Sequence, residues 1–402
     1  MNKLYVALSV GLPLLSRLLV LFLLSLSVFT TSAKNYTVDS SVVLALTMLT
    51  TIGISSLCVV RFSKSPKQNN ILEFVILISF VSFIFIPVFY LLQGFEFISD
   101  YKSVSLYFYV YSLYLLFRHY YQAFSKYKLI AFVELMILIM SVSLVIYFWS
   151  GVPLDILFYL TIPYLIFVMF CFFYNIQEIK NIKSIKKLFK LFFEKDSIHY
   201  ILNVNLSNFI SSGLSYLVAP LLSNFVHERT VTNVALMQMV TSALAFLPRN
   251  FSYYYLPLMS SIADKKVLKS ILRKFVRYNI LTLTLTSFVL FFASLIDSIS
   301  FKAILYGGQE HVVSFIFICA NLYFSQLSLP YANLFMSKEK SRVLVISNMI
   351  YASVLISSVL ICYSIFYLLD DYVLVALLYF LMATSQIIKF LYIRRSSHGF
   401  FQ

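Results

Sequence analysis

Two arginines occupy positions where a cation is hard to keep. Arg17 lies inside the apolar run 4–32, and Arg249 inside the run 231–257. Counted from Leu4 at 1.5 Å per residue, Arg17 stands about 20 Å along a helix, too deep for its side chain to reach either membrane surface easily. Arg249 continues a stripe of Gln238, Ser242 and Ala245, whose spacing puts all four on one helix face. Glu134 sits in another apolar run, 129–149. Charges at such depths mark ion or substrate pathways and proton relays, or they pair with one another. Glu134 is thus a coupling candidate, and also a candidate partner for Arg17 or Arg249 in a structural ion pair.

A second pattern is aromatic. Tyr107, Tyr111, Tyr114, Arg118 and Tyr121 fall within a narrow arc of one helix. Tyrosine offers an apolar face and a hydroxyl, which suits the mixed surface of a sugar. Packing and interfacial aromatic belts explain the same residues equally well in a chain with 30 tyrosines. Asn205, Asn208, Ser212 and Ser215 share a face of a later run, and Asn321, Ser325 and Ser328 of another. Either hydrogen bonding between helices or a wet cavity would use them.

Enzyme and cofactor signatures are missing. No nucleotide-binding glycine loop, GxSxG or HExxH occurs. The five histidines are scattered, and Cys58, Cys171, Cys319 and Cys362 sit singly in apolar runs. We therefore expect no metal, no cofactor and no catalytic residue, and any transport to be secondary rather than ATP-driven.

The elements that must position these residues follow from composition. Of 402 residues, 61% are hydrophobic and only 12% charged, about half the share in a soluble domain. The mean hydropathy is +0.88. Such a surface must face lipid. The net charge of +15 lies in the connections between apolar runs, which argues against a nucleic-acid partner. Runs of spanning length centre on 4–32, 40–60, 71–94, 103–122, 129–149, 154–175, 199–226, 231–257, 276–298, 311–336, 343–368 and 372–393, so about twelve transmembrane helices are expected. The first run is too long for a signal peptide and carries Arg17 in its middle.

Alternate connections differ sharply in charge. One side takes only Lys34, Lys102, Arg229 and Lys302 of the 31 basic residues. Apart from Arg17 and Arg249, the rest, including Lys389, fall on the side of the N-terminus. The positive-inside rule then places both termini in the cytoplasm. Segment 176–198 sets Lys180, Lys183, Lys186, Lys187 and Lys190 against Ile182, Ile185, Leu188, Phe189, Phe192 and Phe193, an amphipathic helix lying on the inner surface. Asp264 to Tyr278 has a similar character. The expected fold is an all-α integral membrane protein of two six-helix lobes, 1–175 and 199–402, joined by the linker 176–198.

In order and spacing, Leu15-Ser16-Arg17, Arg118-His119-Tyr120-Tyr121-Gln122-Ala123, Phe246-Leu247-Pro248-Arg249 with Leu256-Pro257-Leu258, and Leu305-Tyr306-Gly307-Gly308 form a recognisable series. With the two-lobe layout, the chain resembles O-antigen or polysaccharide flippases (Wzx-type) of the multidrug/oligosaccharidyl-lipid/polysaccharide exporter (MOP) superfamily, along essentially its whole length. The resemblance implies a MATE-like fold in the bacterial cytoplasmic membrane and alternating access of two lobes. Its implied cargo is an oligosaccharide on undecaprenyl diphosphate, with membrane lipids and other polysaccharide assembly proteins as partners. Arg17, Arg249 and Arg118 would meet the diphosphate, and Tyr107, Tyr111, Tyr114, Gln238 and Asn208 the glycan. A phosphate in a low-dielectric cavity needs fixed cations. The chain departs from the family in carrying few arginines within its helices. Two competing readings are a cation-coupled multidrug exporter of the same superfamily, using Glu134, and a membrane polysaccharide polymerase. Polymerases resemble proteins with a long arginine-bearing outer loop, which this chain lacks.

Overall fold

In a computed structural model, the described residues are 2–26, 30–64, 70–149, 151, 153, 155–174, 194–213, 216–241, 248, 251, 255, 258–259, 262, 264–295, 312–338, 341–365 and 368–401. Among them the structure is helical with no strand. Two compact units emerge, Met1–Asn224 and Phe225–Gln402.

The first unit opens with α1 (Asn2–Leu26), α2 (Thr30–Thr50) and α3 (Ile52–Lys64), followed by α4 (Ile71–Gly94), α5 (Tyr101–Ala123) and α6 (Tyr127–Tyr147). The short α7 (Ile156–Leu160) and α8 (Ile162–Tyr174) come next, then α9 (Lys195–Asn208), a π-helical turn (Phe209–Gly213) and α10 (Val218–Leu222). Helix α5 is the axle. It packs against α2, α3, α4, α6, α7 and α8, and residues on every side of it are buried, from Val104 to Tyr121. Its start is set by Asp100, whose carboxylate accepts the Ser103 N–H at 2.9 Å and the Ser103 hydroxyl at 2.7 Å. Helix α4 is capped likewise by Asn70, which accepts the Leu72 N–H at 3.0 Å. Outer faces of the unit are apolar and open: Phe83 is 73% exposed and Phe132 59%. Such a surface fits lipid, not water.

One bend is built from three helices. Helices α2 and α3 meet at Thr51 at 51°. The Asn205 carboxamide of α9 donates to the Thr50 carbonyl at 2.8 Å and accepts the Gly53 N–H at 2.6 Å, so backbone groups at the bend are satisfied without water. Gly53 is required by proximity, since a Cβ there would stand 2.5 Å from the Ile201 carbonyl oxygen. Arg61 of α3 pairs with Glu194, just before α9.

The second unit contains α11 (Glu228–Thr241), α12 (Lys265–Leu295), α13 (Val312–Leu327), α14 (Leu329–Ser337), α15 (Ser341–Ile365) and α16 (Asp371–Phe401). Helix α16 packs against α13 and α15, and α12 against α13 and α14. Tyr255, Met259, Leu268, Leu272, Phe275 and Leu334 form a core cluster, in which the Tyr255 and Phe275 rings stack at 4.6 Å. The buried Asn279 of α12 donates to the Gln326 carbonyl of α13 at 2.9 Å.

Seven helices among the described residues are long and apolar enough to cross a membrane, and eight with the bent α2–α3 pair. The chain is a multi-pass membrane protein. Helices also occupy the other expected positions: α5, α9, α11 and α12 are present but more polar or shorter. Tyrosines account for this in α5, and the basic first half in α12.

Several boundaries differ from those expected. The first run is expected to continue to 32, but α2 has begun by Thr30, so Lys34 lies in a helix rather than a loop. Asp264 to Tyr278 is not a separate surface helix. Its basic face is the first half of the 31-residue α12, because no breaker separates it from the apolar half. Lys389, grouped above with the inner loops, is buried within α16 at 7% exposure. Helix α9 lies in the unit Met1–Asn224, tied to α2 and α3 by Asn205 and, just before the helix, by Glu194. Most of the linker 176–198 lies outside the described residues.

Candidate functional site

Arg17 of α1 is drawn into the first unit by tyrosine. Its Nη2 donates to the Tyr111 hydroxyl at 2.5 Å, and its guanidinium carbon lies 5.2 Å from the Tyr111 ring centroid. Tyr36, Tyr107, Tyr164 and Tyr216 are also within electrostatic reach. No carboxylate pairs with Arg17 among the described residues. A neutral phenol solvates the cation without cancelling it, so the charge stays available to an anion.

The tyrosine stripe becomes a ladder. Spacing of four and three residues along α5 stacks Tyr107 on Tyr111 at 5.6 Å and sets Tyr111 against Tyr114 at 5.5 Å. Tyr164 of α8 closes the ladder from the side, edge-on to Tyr107, Tyr111 and Tyr114 at 5.8, 5.6 and 5.0 Å. All four rings are buried. Nothing periodic in the sequence marks Tyr164 or Tyr36; their place is set by how α8 and α2 pack on α5.

Glu134 of α6 is 1% exposed and already engaged. Arg118 Nε lies 3.2 Å from Glu134 Oε1, and the Tyr114 hydroxyl donates to the same oxygen. The other arm of Arg118 donates to the Ser9 carbonyl of α1 at 2.6 Å. An ion pair of Glu134 therefore exists, with Arg118 rather than Arg17 as its partner, while Arg249 lies outside the described residues. Arg118 is four residues from Tyr114 and Glu134 is on the neighbouring helix, whereas Arg17 is turned toward Tyr111. The triad ties α1, α5 and α6 together.

Two of the remaining candidates bond elsewhere. Gln238 of α11 donates to the Tyr379 hydroxyl of α16, within the second unit. Asn208 donates to the Val204 carbonyl of its own helix at 2.8 Å; on the same face Asn205 bonds between helices. Arg249, with Ser242 and Ala245, lies outside the described residues. Lys389 Nζ sits 5.6 Å from the Tyr351 ring centroid. Among the described residues no group of three or more His, Cys, Asp or Glu is arranged to hold a metal.

No family model matches the chain, and no curated protein matches its sequence. Solved structures do. A multidrug resistance MATE family transporter of the MOP superfamily superposes in its inward-facing conformation with a TM-score of 0.69 at 11% identity, covering 99% of this chain and 95% of that one. An outward-facing structure of such a transporter gives 0.65 at 11%, covering 99% and 94%. A MOP superfamily transporter from Pyrococcus furiosus, described as having a binding pocket of reversed polarity that suggests a different function, gives 0.63 at 12%, covering 99% and 95%. The fold is that of the MATE transporters. On this MATE-like frame, the Arg17–tyrosine cluster and the Arg118–Glu134 pair both lie in the first unit.

Proposed function

We propose that this chain is a flippase. It moves an undecaprenyl-diphosphate-linked oligosaccharide, an O-antigen or polysaccharide repeat unit, from the inner to the outer leaflet of the bacterial cytoplasmic membrane by alternating access. The observation that carries the reading is Arg17: a cation inside a membrane helix, solvated by a phenol and with no carboxylate paired to it among the described residues. A diphosphate supplies the missing negative charge. MATE-like neighbours in inward- and outward-facing conformations support the transport cycle. That one neighbour carries a pocket of reversed polarity supports a change of cargo on a kept fold. An inside-negative membrane favours outward movement of the anion by about 2.3 kcal/mol per charge per 100 mV. In this reading no bond of the cargo is made or broken, and downstream assembly proteins take over at the outer face.

The competing exporter needs Glu134 free to couple cations, and Arg118 and Tyr114 already occupy it. The test is Arg17→Ala beside Arg17→Lys, with membrane insertion verified for each. Loss of surface glycan with lipid-linked repeat units retained on the inner leaflet, partly rescued by lysine, is expected. Normal export from Arg17→Ala overturns the cationic-site mechanism. Unpolymerised units on the outer leaflet point to a polymerase instead.

A further inference from the structure

In the second unit, one face of α12 changes character along its length. Lys269, Arg273 and Arg277 recur every four residues, and Ile280 and Thr284 continue the same face. The face is basic for about 12 Å and then apolar for about 10 Å. It forms one wall of an open cleft of about 750 Å³. Arg394 and His398 of α16 add to the basic end, and Tyr331 of α14 to the wall. Among the described residues no Asp or Glu lines it.

The cleft is held rigidly. Behind it lie the buried Leu268, Leu272 and Phe275 of the core cluster, against which Phe400 and Phe401 pack. Lys265 and Lys269 sit over the Phe400 and Phe401 rings, each at 5.8 Å. Lys338 fastens the end of α14 to the same corner through the Ile262 carbonyl at 2.5 Å. Beyond the cations the open wall is hydrocarbon: Leu281 is 58% exposed, and the next turns continue with Leu285 and Phe288, each 60% exposed.

We propose that this cleft binds one anionic phospholipid of the leaflet that faces the chain's basic side, its phosphate among Arg273, Arg277 and Arg394 and an acyl chain along Ile280, Leu281 and Thr284. Charge and length both fit that occupant. A basic rim attracts a negative headgroup. The apolar stretch that follows lies along the span, where half the hydrocarbon thickness, about 15 Å, receives one chain. A soluble anion would leave that wall unused. The proposal concerns ordinary membrane lipid and does not depend on the flippase reading.

Native mass spectrometry of the full chain in detergent, offered phosphatidylglycerol and phosphatidylcholine at equal concentration, tests it. The cleft variant is Arg273→Ala/Arg277→Ala/Arg394→Ala. The control, Lys266→Ala/Lys274→Ala/Arg395→Ala, removes the same charge from the same helices outside the cleft. The wild type and the control are expected to prefer phosphatidylglycerol, and the cleft variant to lose retention by about a hundredfold, roughly fivefold per cation. Should the triple variant fail to fold, Leu281→Glu/Thr284→Glu leaves the cations in place and puts charge in the chain path; it too is expected to lose the lipid. Three results overturn the proposal: equal loss in the control, equal binding of phosphatidylcholine by the wild type, or unchanged retention in the glutamate variant. Displacement of the lipid by equimolar glycerol 3-phosphate or inorganic phosphate would also overturn it, because the site would then read a free phosphate alone.

Discussion

Arg118 Nε stands 3.2 Å from Glu134 Oε1, joining α5 to α6 in the interior of the first unit. Glu134 takes a second bond from the Tyr114 hydroxyl, and Arg118 reaches on to the Ser9 carbonyl of α1. The pair is therefore a brace between three helices, and among the described residues Arg17 has no carboxylate at ion-pair distance.

Breaking the brace on one side should be costly. Glu134→Gln strands a largely buried guanidinium, and a loss of about 3 kcal/mol is expected. Arg118→Met/Glu134→Met removes both charges and should recover most of it. Thermal unfolding in detergent compares the two. A single variant as stable as the wild type would show the brace to be idle.

Tyr111 separates the ring from the hydroxyl. Tyr111→Phe keeps the ring under Arg17 and removes the acceptor. Stability should fall by about 1 kcal/mol. Export of lipid-linked glycan should fall by about fivefold, the rate equivalent of that energy. Wild-type export with the expected loss of stability would mean that the hydroxyl serves folding alone.

Gly53 and Asn205 make a third test. Gly53→Ala places a Cβ 2.5 Å from the Ile201 carbonyl oxygen and 2.7 Å from Asn205 Oδ1, so α3 and α9 must part. A cost of about 1–3 kcal/mol is expected. Asn205→Ala leaves the Thr50 carbonyl and the Gly53 N–H without the side chain that meets them, at about 1–3 kcal/mol. Unfolding midpoints check both, and an unchanged midpoint for Gly53→Ala would refute the close approach.

Asp100 links stability to pH. It lies in the connection between α4 and α5. Burial alone would raise its carboxyl, but the hydroxyl and N–H of Ser103 and the N–H of Lys102 outweigh that and hold it below the usual range. The folded state thus prefers the ionised form. Its contribution is present above the unfolded value, about 3.9, and is lost as pH falls through the lower folded one. The melting temperature of the wild type should drop below about pH 4 by more than that of Asp100→Ala, whose cap is absent at every pH. Parallel pH curves for the two would remove Asp100 from the linkage.

The sequence by itself determined the solvent of this protein and its helical class. Those are one-dimensional properties. Apolar run length sets what can span a bilayer. A period of 3.6 puts Tyr107, Tyr111, Tyr114 and Arg118 on one face whatever packs against it. Tertiary structure decided the partners. Glu134 had more than one arginine within plausible reach, and the packing of α5 on α6 chose Arg118. Tyr164 has no periodic signal and joined the ladder only because α8 lies along α5. Asn205 and Asn208 share a sequence face, yet only Asn205 meets the bend at Gly53, where the absence of a Cβ lets α9 come close. Hydropathy is a property of a residue and its neighbours in the chain, whereas an ion pair or a shared hydrogen bond depends on the angle and distance between helices far apart in sequence.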